Sequence, residues 1–326
     1  SPGELLRAAS TTLSDRALER ARPRLDPFAA PRAIVESERS PAGGAERFLT
    51  LFLVGAECPF GCVYCDLWRG TIPEATPAGA LPRQIELALG ALDEDLADLD
   101  GVKLYNAANF FDERAVPAAD DAAIAALVAP FRRVVVECHP RRVGARALAF
   151  ARRLPGRLEV AMGLETVHPE ALVRLRKGMT LADYDRATVT LASAGIDHRA
   201  FVLVGTPFVA KEERVEWTLR SIDRAIAGGA RVVSLLPLRR GGEALEPLFA
   251  SGELAPPTLA EVEACLEPRL SVRAAVVQVD PWDLALLGRC AECAPARRAR
   301  LARLSRFPPT AEGEAPVACA SCGGRS

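Results

Sequence analysis

The chain has 326 residues, enough for one large domain with appendages. Its formal net charge of −1 excludes a strongly basic nucleic-acid-binding surface over the whole molecule, while leaving local patches open. No run approaches the roughly 18 apolar residues of a membrane span, and the Arg-, Asp-, Glu- and Pro-rich stretch 1–47 lacks the apolar core of a signal peptide. The expectation is a soluble cytoplasmic protein without membrane contact. Only three basic residues are lysine, and the arginine excess reads as a compositional bias.

Residues 1–47 are expected to form an N-terminal helical extension, because Leu5, Leu6, Ala9, Leu13, Ala17 and Leu18 fall at helical spacing. Pro27, Pro31, Pro41 and Gly43-Gly44 then predict loops up to the first strand. From residue 48, strands over 48–54, 102–106, 133–138, 158–164, 199–205 and 231–236 alternate with helices over 81–96, 119–130, 144–153, 180–194 and 212–228. Such alternation predicts an α/β fold with a parallel sheet and right-handed crossovers. Successive apolar residues, as in Val134-Val135-Val136, suit a sheet covered on both faces. Periodicity leaves an open doubly wound sheet and a partial barrel equally open. In both, the loops after the strands form the working face. The core domain is placed at 48–240 and a C-terminal extension at 241–326. In the extension, 258–267 reads as a helix, and Val272–Val279 as a strand that either extends the sheet or starts the tail.

The first strand runs into Cys58-Pro-Phe-Gly-Cys62-Val-Tyr-Cys65. Structural zinc sites and electron-transfer clusters normally take four protein ligands, so three thiolates on a [4Fe-4S] cube leave one iron open for a substrate or cofactor. Gly61 is expected to adopt backbone angles closed to other residues and to let the loop wrap closely. Disulfides are the plain alternative, rare inside cells. Later strand ends carry Asn106 and Asn109, then Glu137 with His139, then Glu165. The cluster Arg174, Arg176 and Lys177 could attract an anion. Cys138 and Cys265 read as small buried apolar residues.

This loop resembles that of the radical S-adenosylmethionine (SAM) enzymes. The resemblance favours a partial (βα)6 barrel. It implies that Cys58, Cys62 and Cys65 hold a [4Fe-4S] cluster and that SAM chelates the fourth iron. Cleavage of SAM then gives methionine and a 5′-deoxyadenosyl radical that abstracts hydrogen from the substrate. It further implies that Tyr64 lies near the adenine. Asn106 and Asn109 stand where many members have a Gly-Gly-Glu segment for the SAM amino group. Glu137 and Glu165 supply carboxylates to the same cofactor, Glu165 nearest its ribose or amino group, and Arg176 meets its carboxylate. A flavodoxin or ferredoxin is the implied reductant.

Asn106-Ala-Ala-Asn-Phe-Phe-Asp112, Val136-Glu-Cys-His-Pro140, Gly163-Leu-Glu-Thr166 and Val202-Leu-Val-Gly-Thr-Pro-Phe208 look like a diverged form of the pattern in the radical SAM subunit of archaeosine synthase, within the wider group containing the elongator catalytic subunit. Where that pattern has Ser-Gly-Ser and Arg-Pro, this chain has Ala107-Ala108-Asn109 and His139-Pro140, near the expected substrate pocket.

Cys290-Ala-Glu-Cys293 and Cys319-Ala-Ser-Cys322 are separated by 25 residues. Two such knuckles complete a tetrahedron around one ion. Zinc is the simplest occupant; a second Fe-S cluster and a redox dithiol are the alternatives. Arginines 297, 298, 300, 303 and 306 between the pairs either track phosphates or dock on an acidic face of the main domain. The leading expectation is a radical SAM enzyme acting on a modified nucleoside, a tRNA base or a related small molecule. The alternatives are a radical SAM enzyme that modifies a peptide or natural product, and a metal-binding interaction protein.

Overall fold

A computed structural model describes residues 23–93, 95–288, 290–309 and 316–321. The helical spacing from Leu5 to Leu18 lies outside these residues. Eight strands form a single sheet in sequence order: β1 (Arg32–Arg39), β2 (Ala45–Phe52), β3 (Gly101–Tyr105), β4 (Arg133–Glu137), β5 (Arg157–Glu165), β6 (Asp197–Val204), β7 (Val232–Pro237) and β8 (Val276–Val279). β1 runs antiparallel to β2, and every later neighbour is parallel. The expected (βα)6 unit is β2 to β7, curled as a partial barrel. β8 settles the choice left open for Val272–Val279: it extends the sheet.

β1 corrects the reading of 27–44 as loops only. Its sequence, Arg-Ala-Ile-Val-Glu-Ser-Glu-Arg, sets an apolar run of only three residues between charged ends and follows two prolines, which masks it. Gly43 and Gly44, both at positive φ, close the turn into β2.

The helices are α1 (Ala80–Gly90), α2 (Asp121–Leu127), α3 (Ala145–Ala151), α4 (Pro169–Arg174), α5 (Leu181–Ser193), α6 (Arg214–Ala227), α7 (Glu246–Ser251), α8 (Leu259–Leu266) and α9 (Ala294–Arg306). Capping boxes at Thr180/Asp183 and Thr258/Glu261 start α5 and α8 by satisfying backbone N–H groups that the first turn leaves open. No helix among the described residues is long and apolar enough to cross a membrane.

Strand alternation divides the sheet into two different faces. Leu49, Leu51, Val102, Leu104, Val134, Val136 and Val160 join the main core with residues of the helices, such as Ile85, Ile124 and Ile222. The other face carries Phe48, Val135 and Ala161 in a small apolar patch, beside a buried ionic network that no apolar run foretold. Arg199, 1% exposed, donates to Glu159 at 2.6 Å and to both oxygens of Glu38 at 2.6 and 2.9 Å. Lys103 bridges Glu36 at 2.9 Å and Glu38 at 2.8 Å. Burial opposes the charge on Glu38, but Arg199 and Lys103 hold its carboxyl far below the ordinary range. Burying an ion costs several kcal/mol, roughly, unless a partner offsets it, and here each has one.

Side chains also bridge the two edges of the curled sheet. Arg39 on β1 donates to the Val277 carbonyl on β8 at 3.3 Å, and Gln278 donates to Glu38 at 3.2 Å. Helix α9 packs across both β1 and β8.

Candidate functional site

Beyond β2 the chain turns at Gly55, where a β-carbon would stand 2.9 Å from Thr76 Oγ1 and 3.0 Å from the Ala115 carbonyl. It then forms the three-cysteine loop. Cys58, Cys62 and Cys65 all line one cavity of about 330 Å³. The loop is pinned from outside by Val63 N–H donating to the Leu175 carbonyl at 3.1 Å. It also packs on Gly242, where a β-carbon would meet the Val63 carbonyl at 2.4 Å and Tyr64 Cα at 2.8 Å. The glycine that lets the chain pass closely is therefore Gly242. Gly61, contrary to expectation, lies outside the left-handed region, and a β-carbon there would meet no protein atom within 4 Å.

Asn109 is turned toward the loop. Its Nδ2 donates to Cys58 Sγ at 3.4 Å, and its Oδ1 accepts the His139 backbone N–H at 2.7 Å. The His139 ring stacks on Phe60 with centroids 3.8 Å apart. His139 Nδ1 accepts from Arg141 N, so Nε2 carries the proton and donates to the Lys177 carbonyl at 2.9 Å. Burial, followed by the charge of Lys177, lowers the His139 pKa to about 4 and keeps the ring neutral. One side chain thus holds the strand-three and strand-four loops against the cysteines.

At the end of β5 a register shift and a positive φ at Glu165 turn its carboxylate inward over Gly163. Glu165 Oε1 accepts from Lys177 Nζ at 2.8 Å, both residues being buried. Its Oε2 makes no well-formed hydrogen bond among the described residues, and the Tyr64 hydroxyl is the group beside the carboxylate. Lys177 lines the cavity, whereas the expected Arg176 is exposed and does not. Positive φ at Arg176 swings that side chain outward and hands the inward position to the next residue. Tyr64 lines the cavity, and burial, then the nearby Glu165 and Cys62, push its hydroxyl well above the usual range. Glu137 also lines it. Burial raises its pKa to about 7 against the backbone N–H groups of Asn106 and Ala107. Asn106 itself is fully buried outside the lining, and both amide atoms lack a partner among the described residues. Of the expected set, Tyr64, Asn109, Glu137 and Glu165 are brought together around the thiols; Asn106 stands behind them and Arg176 apart.

These residues fit a [4Fe-4S] cluster. Burial raises all three thiols, Cys65 to about 12, so they await a cation to become thiolates. They are also spread apart. Among the described residues the trio gathered within 4.8 Å is Cys290, Cys293 and Cys319, not Cys58, Cys62 and Cys65. A single ion demands the tight grouping. A cubane whose irons each take one thiolate demands the wide one.

In the C-terminal trio, Cys290 and Cys319 Sγ are 3.8 Å apart, close to the edge of a tetrahedron with Zn–S bonds of about 2.3 Å. Cys322 lies outside the described residues. No disulfide joins the eight described cysteines, and Cys138 and Cys265 are buried as expected. The neighbouring arginines dock inward. Arg297 pairs with Glu263 on α8, Arg300 pairs with Glu263 and Glu267, and Arg298 donates to the Leu287 carbonyl.

Residues that sequence reasoning missed line the cavity from β1, β8 and beyond: Glu36, Gln278, Asp280 and Trp282. The aromatic Trp282 after a short apolar run was the one signal available.

A family model described as the radical SAM superfamily matches residues 52–225. The chain is 24% identical over 245 residues to an uncharacterized protein of Methanocaldococcus jannaschii, covering 71% of this chain and 67% of that one. It is 26% identical over 230 residues to archaeosine synthase subunit beta of Methanosarcina acetivorans, covering 67% of this chain and 65% of the relative. It thus spans about two thirds of the length of the curated relatives it matches. Among solved structures it is similar in fold to methylornithine synthase, with a TM-score of 0.51 at 13% identity over 80% of this chain and 73% of the other. Matched over more than half its length, and folded as that family folds, the chain belongs to the radical SAM superfamily, whose members combine a [4Fe-4S] cluster with S-adenosylmethionine.

Proposed function

We propose that this enzyme binds its [4Fe-4S] cluster through Cys58, Cys62 and Cys65, cleaves SAM reductively, and acts on a modified nucleoside, free or in tRNA. The observation that carries the reading is the opening of three unpaired thiols onto the cavity that also receives Glu165. When bound, the cluster and SAM supply an electron and a 5′-deoxyadenosyl radical for hydrogen abstraction.

The protein's own residues hold and orient. Glu165 offers its Oε2 to an amino group while Lys177 fixes the other oxygen. Tyr64 gives an adenine a flat surface, and Glu137 offers a polar partner beside it. Asn109 steadies Cys58. Leu67 and Trp282, 46% and 41% exposed, line the same cavity, so substrate reaches it from the surface there. The nucleoside reading draws support from the likeness to a protein named archaeosine synthase subunit beta. Zinc at Cys290, Cys293 and Cys319, completed by Cys322, is the second metal in this reading. The electron donor is a flavodoxin or ferredoxin, and the setting is the cytoplasm.

The test is anaerobic reconstitution with iron and sulfide, followed by SAM and dithionite. Formation of 5′-deoxyadenosine and methionine, lost in Cys62→Ala, is expected; a cluster-loaded wild-type chain that leaves SAM intact overturns the reading.

A further inference from the structure

The far part of the cavity, at the β8 edge, has a chemistry unlike the cysteine end. Gln278 on β8 and Asp280 just after it are two residues apart and so share the inward face. Gln278 is 6% exposed. Its Nε2 donates to Glu38, which as a carboxylate can only accept, and this fixes the amide with Oε1 as the free end. That oxygen is buried and has no partner among the described residues.

Asp280 accepts the Trp282 backbone N–H at 3.0 Å and forms no ion pair among the described residues. Burial raises its pKa to about 6; the charges that reach it are two carboxylates, Glu36 and Asp283, and Lys103. Lys103 is already shared by Glu36 and Glu38. Of the other cations that line the cavity, Arg199 is committed to Glu38 and Glu159, Lys177 to Glu165, and the half-buried Arg239 to Asp66 and Asp283, while Arg306 is exposed and forms no ion pair with Asp280 among the described residues. Glu137, by contrast, takes backbone N–H groups.

Beside these acceptors stands a fixed aromatic wall. Trp282 is anchored by Nε1 donating to Glu36 at 3.0 Å and packs edge-on to Tyr105 at 6.4 Å, which in turn meets Phe201 at 6.5 Å. A carboxylate without an ion pair, a buried carbonyl without a donor and an indole ring together suit a positively charged donor.

We infer that this end of the cavity, formed by Gln278, Asp280 and Trp282, seats a protonated amine of the substrate. An ammonium group brings three N–H donors and a charge. Asp280 offsets the charge, Gln278 Oε1 takes a donor, and the Trp282 ring covers the remaining side. The inference rests on reading the cavity as the substrate site, and it narrows the substrate to one carrying an amine that is charged at neutral pH.

The test uses the full chain with its cluster reconstituted and SAM present, and two probes of equal length, butylammonium and butanol, titrated by saturation-transfer NMR. Butylammonium is expected to bind about tenfold or more tightly than butanol. Asp280→Asn and Gln278→Leu should each remove most of that preference, with the fold of each variant checked by circular dichroism at the titration temperature. Should Asp280→Asn fail to fold, Gln278→Leu carries the test alone. Equal binding of the two probes to wild type, or a preference that survives substitution, overturns the inference. SAM cleavage is scored separately in the same samples. Cleavage without ammonium preference overturns the amine seat alone, whereas preference without cleavage upholds the seat and overturns the proposed radical chemistry.

Discussion

The two cysteine sets differ in how the fold treats them. Cys58, Cys62 and Cys65 sit on a loop held by others, against Asn109, Leu175 and Gly242, and their sulfurs are spread around a cavity. Cys290, Cys293 and Cys319 are drawn within 4.8 Å of one another beside the start of α9, a helix held to α8 by ion pairs. In the proposed reading the first set is supported by the structure in order to act, while the second supports the structure around it. On that reading, spacing of thiols in space, more than their number, separates a reactive cluster from a brace.

The largest effect that would sharpen this contrast is a split between activity and stability. Cys62→Ala should lower 5′-deoxyadenosine formation at least about 1,000-fold, to background, while moving the melting temperature little. Cys293→Ala should do the reverse: it should lose the bound metal and lower stability by several kcal/mol, roughly, with cleavage per intact cluster retained. Elemental analysis should find about four irons and one zinc per chain; about eight irons without zinc would break the contrast.

Next in size is Arg297→Ala. It leaves Glu263, 4% exposed, with Arg300 as its remaining partner, and should cost about 3 kcal/mol in denaturant unfolding. A cost near zero would mean that this ion pair adds nothing to the packing of α9 on β1 and β8.

Glu137 gives a pH signature confined to the cavity. Its folded pKa is raised from 4.5 to about 7, so the proton favours the folded state. That contribution is complete below pH 4.5 and is lost as pH rises through 7, an effect on the order of 3 kcal/mol. Glu137→Gln should flatten this part of the stability profile in the SAM-free protein; an unchanged profile would assign the dependence elsewhere.

The smallest effect concerns Asn109. A hydrogen bond to sulfur favours the more negative, reduced cluster, so Asn109→Leu should lower the reduction potential by about 40 mV, the equivalent of ~1 kcal/mol for one electron. Potentiometric titration followed by EPR reads this directly, and an unshifted potential would reduce Asn109 to a loop brace.

What the sequence made legible follows from where information is local. The first cysteine set announces itself by spacing, and β3 to β7 by short apolar runs between helices with clear starts. Glu36 and Glu38 on β1 could not be read that way. A charged strand makes sense only when Lys103 and Arg199, distant in sequence, face it. The exchange of Arg176 for Lys177 has a backbone cause, a positive φ that no propensity places. Gln278 and Asp280 were hidden because a lone amide and a lone carboxylate carry no pattern until a cavity surrounds them.

The tie between β1 and β8 has a consequence for how this protein comes into being. Trp282 reaches Glu36 across 246 positions of chain and Gln278 reaches Glu38 across 240. Ribosomal synthesis proceeds from the amino terminus, so the reaction chamber has no far wall while the strands up to β7 are emerging. Loop closure over such distances is slow relative to local helix formation. The chamber is therefore finished late, and a nascent chain carries its three reactive sulfurs for most of that time without the enclosure that would shield a cluster from oxygen.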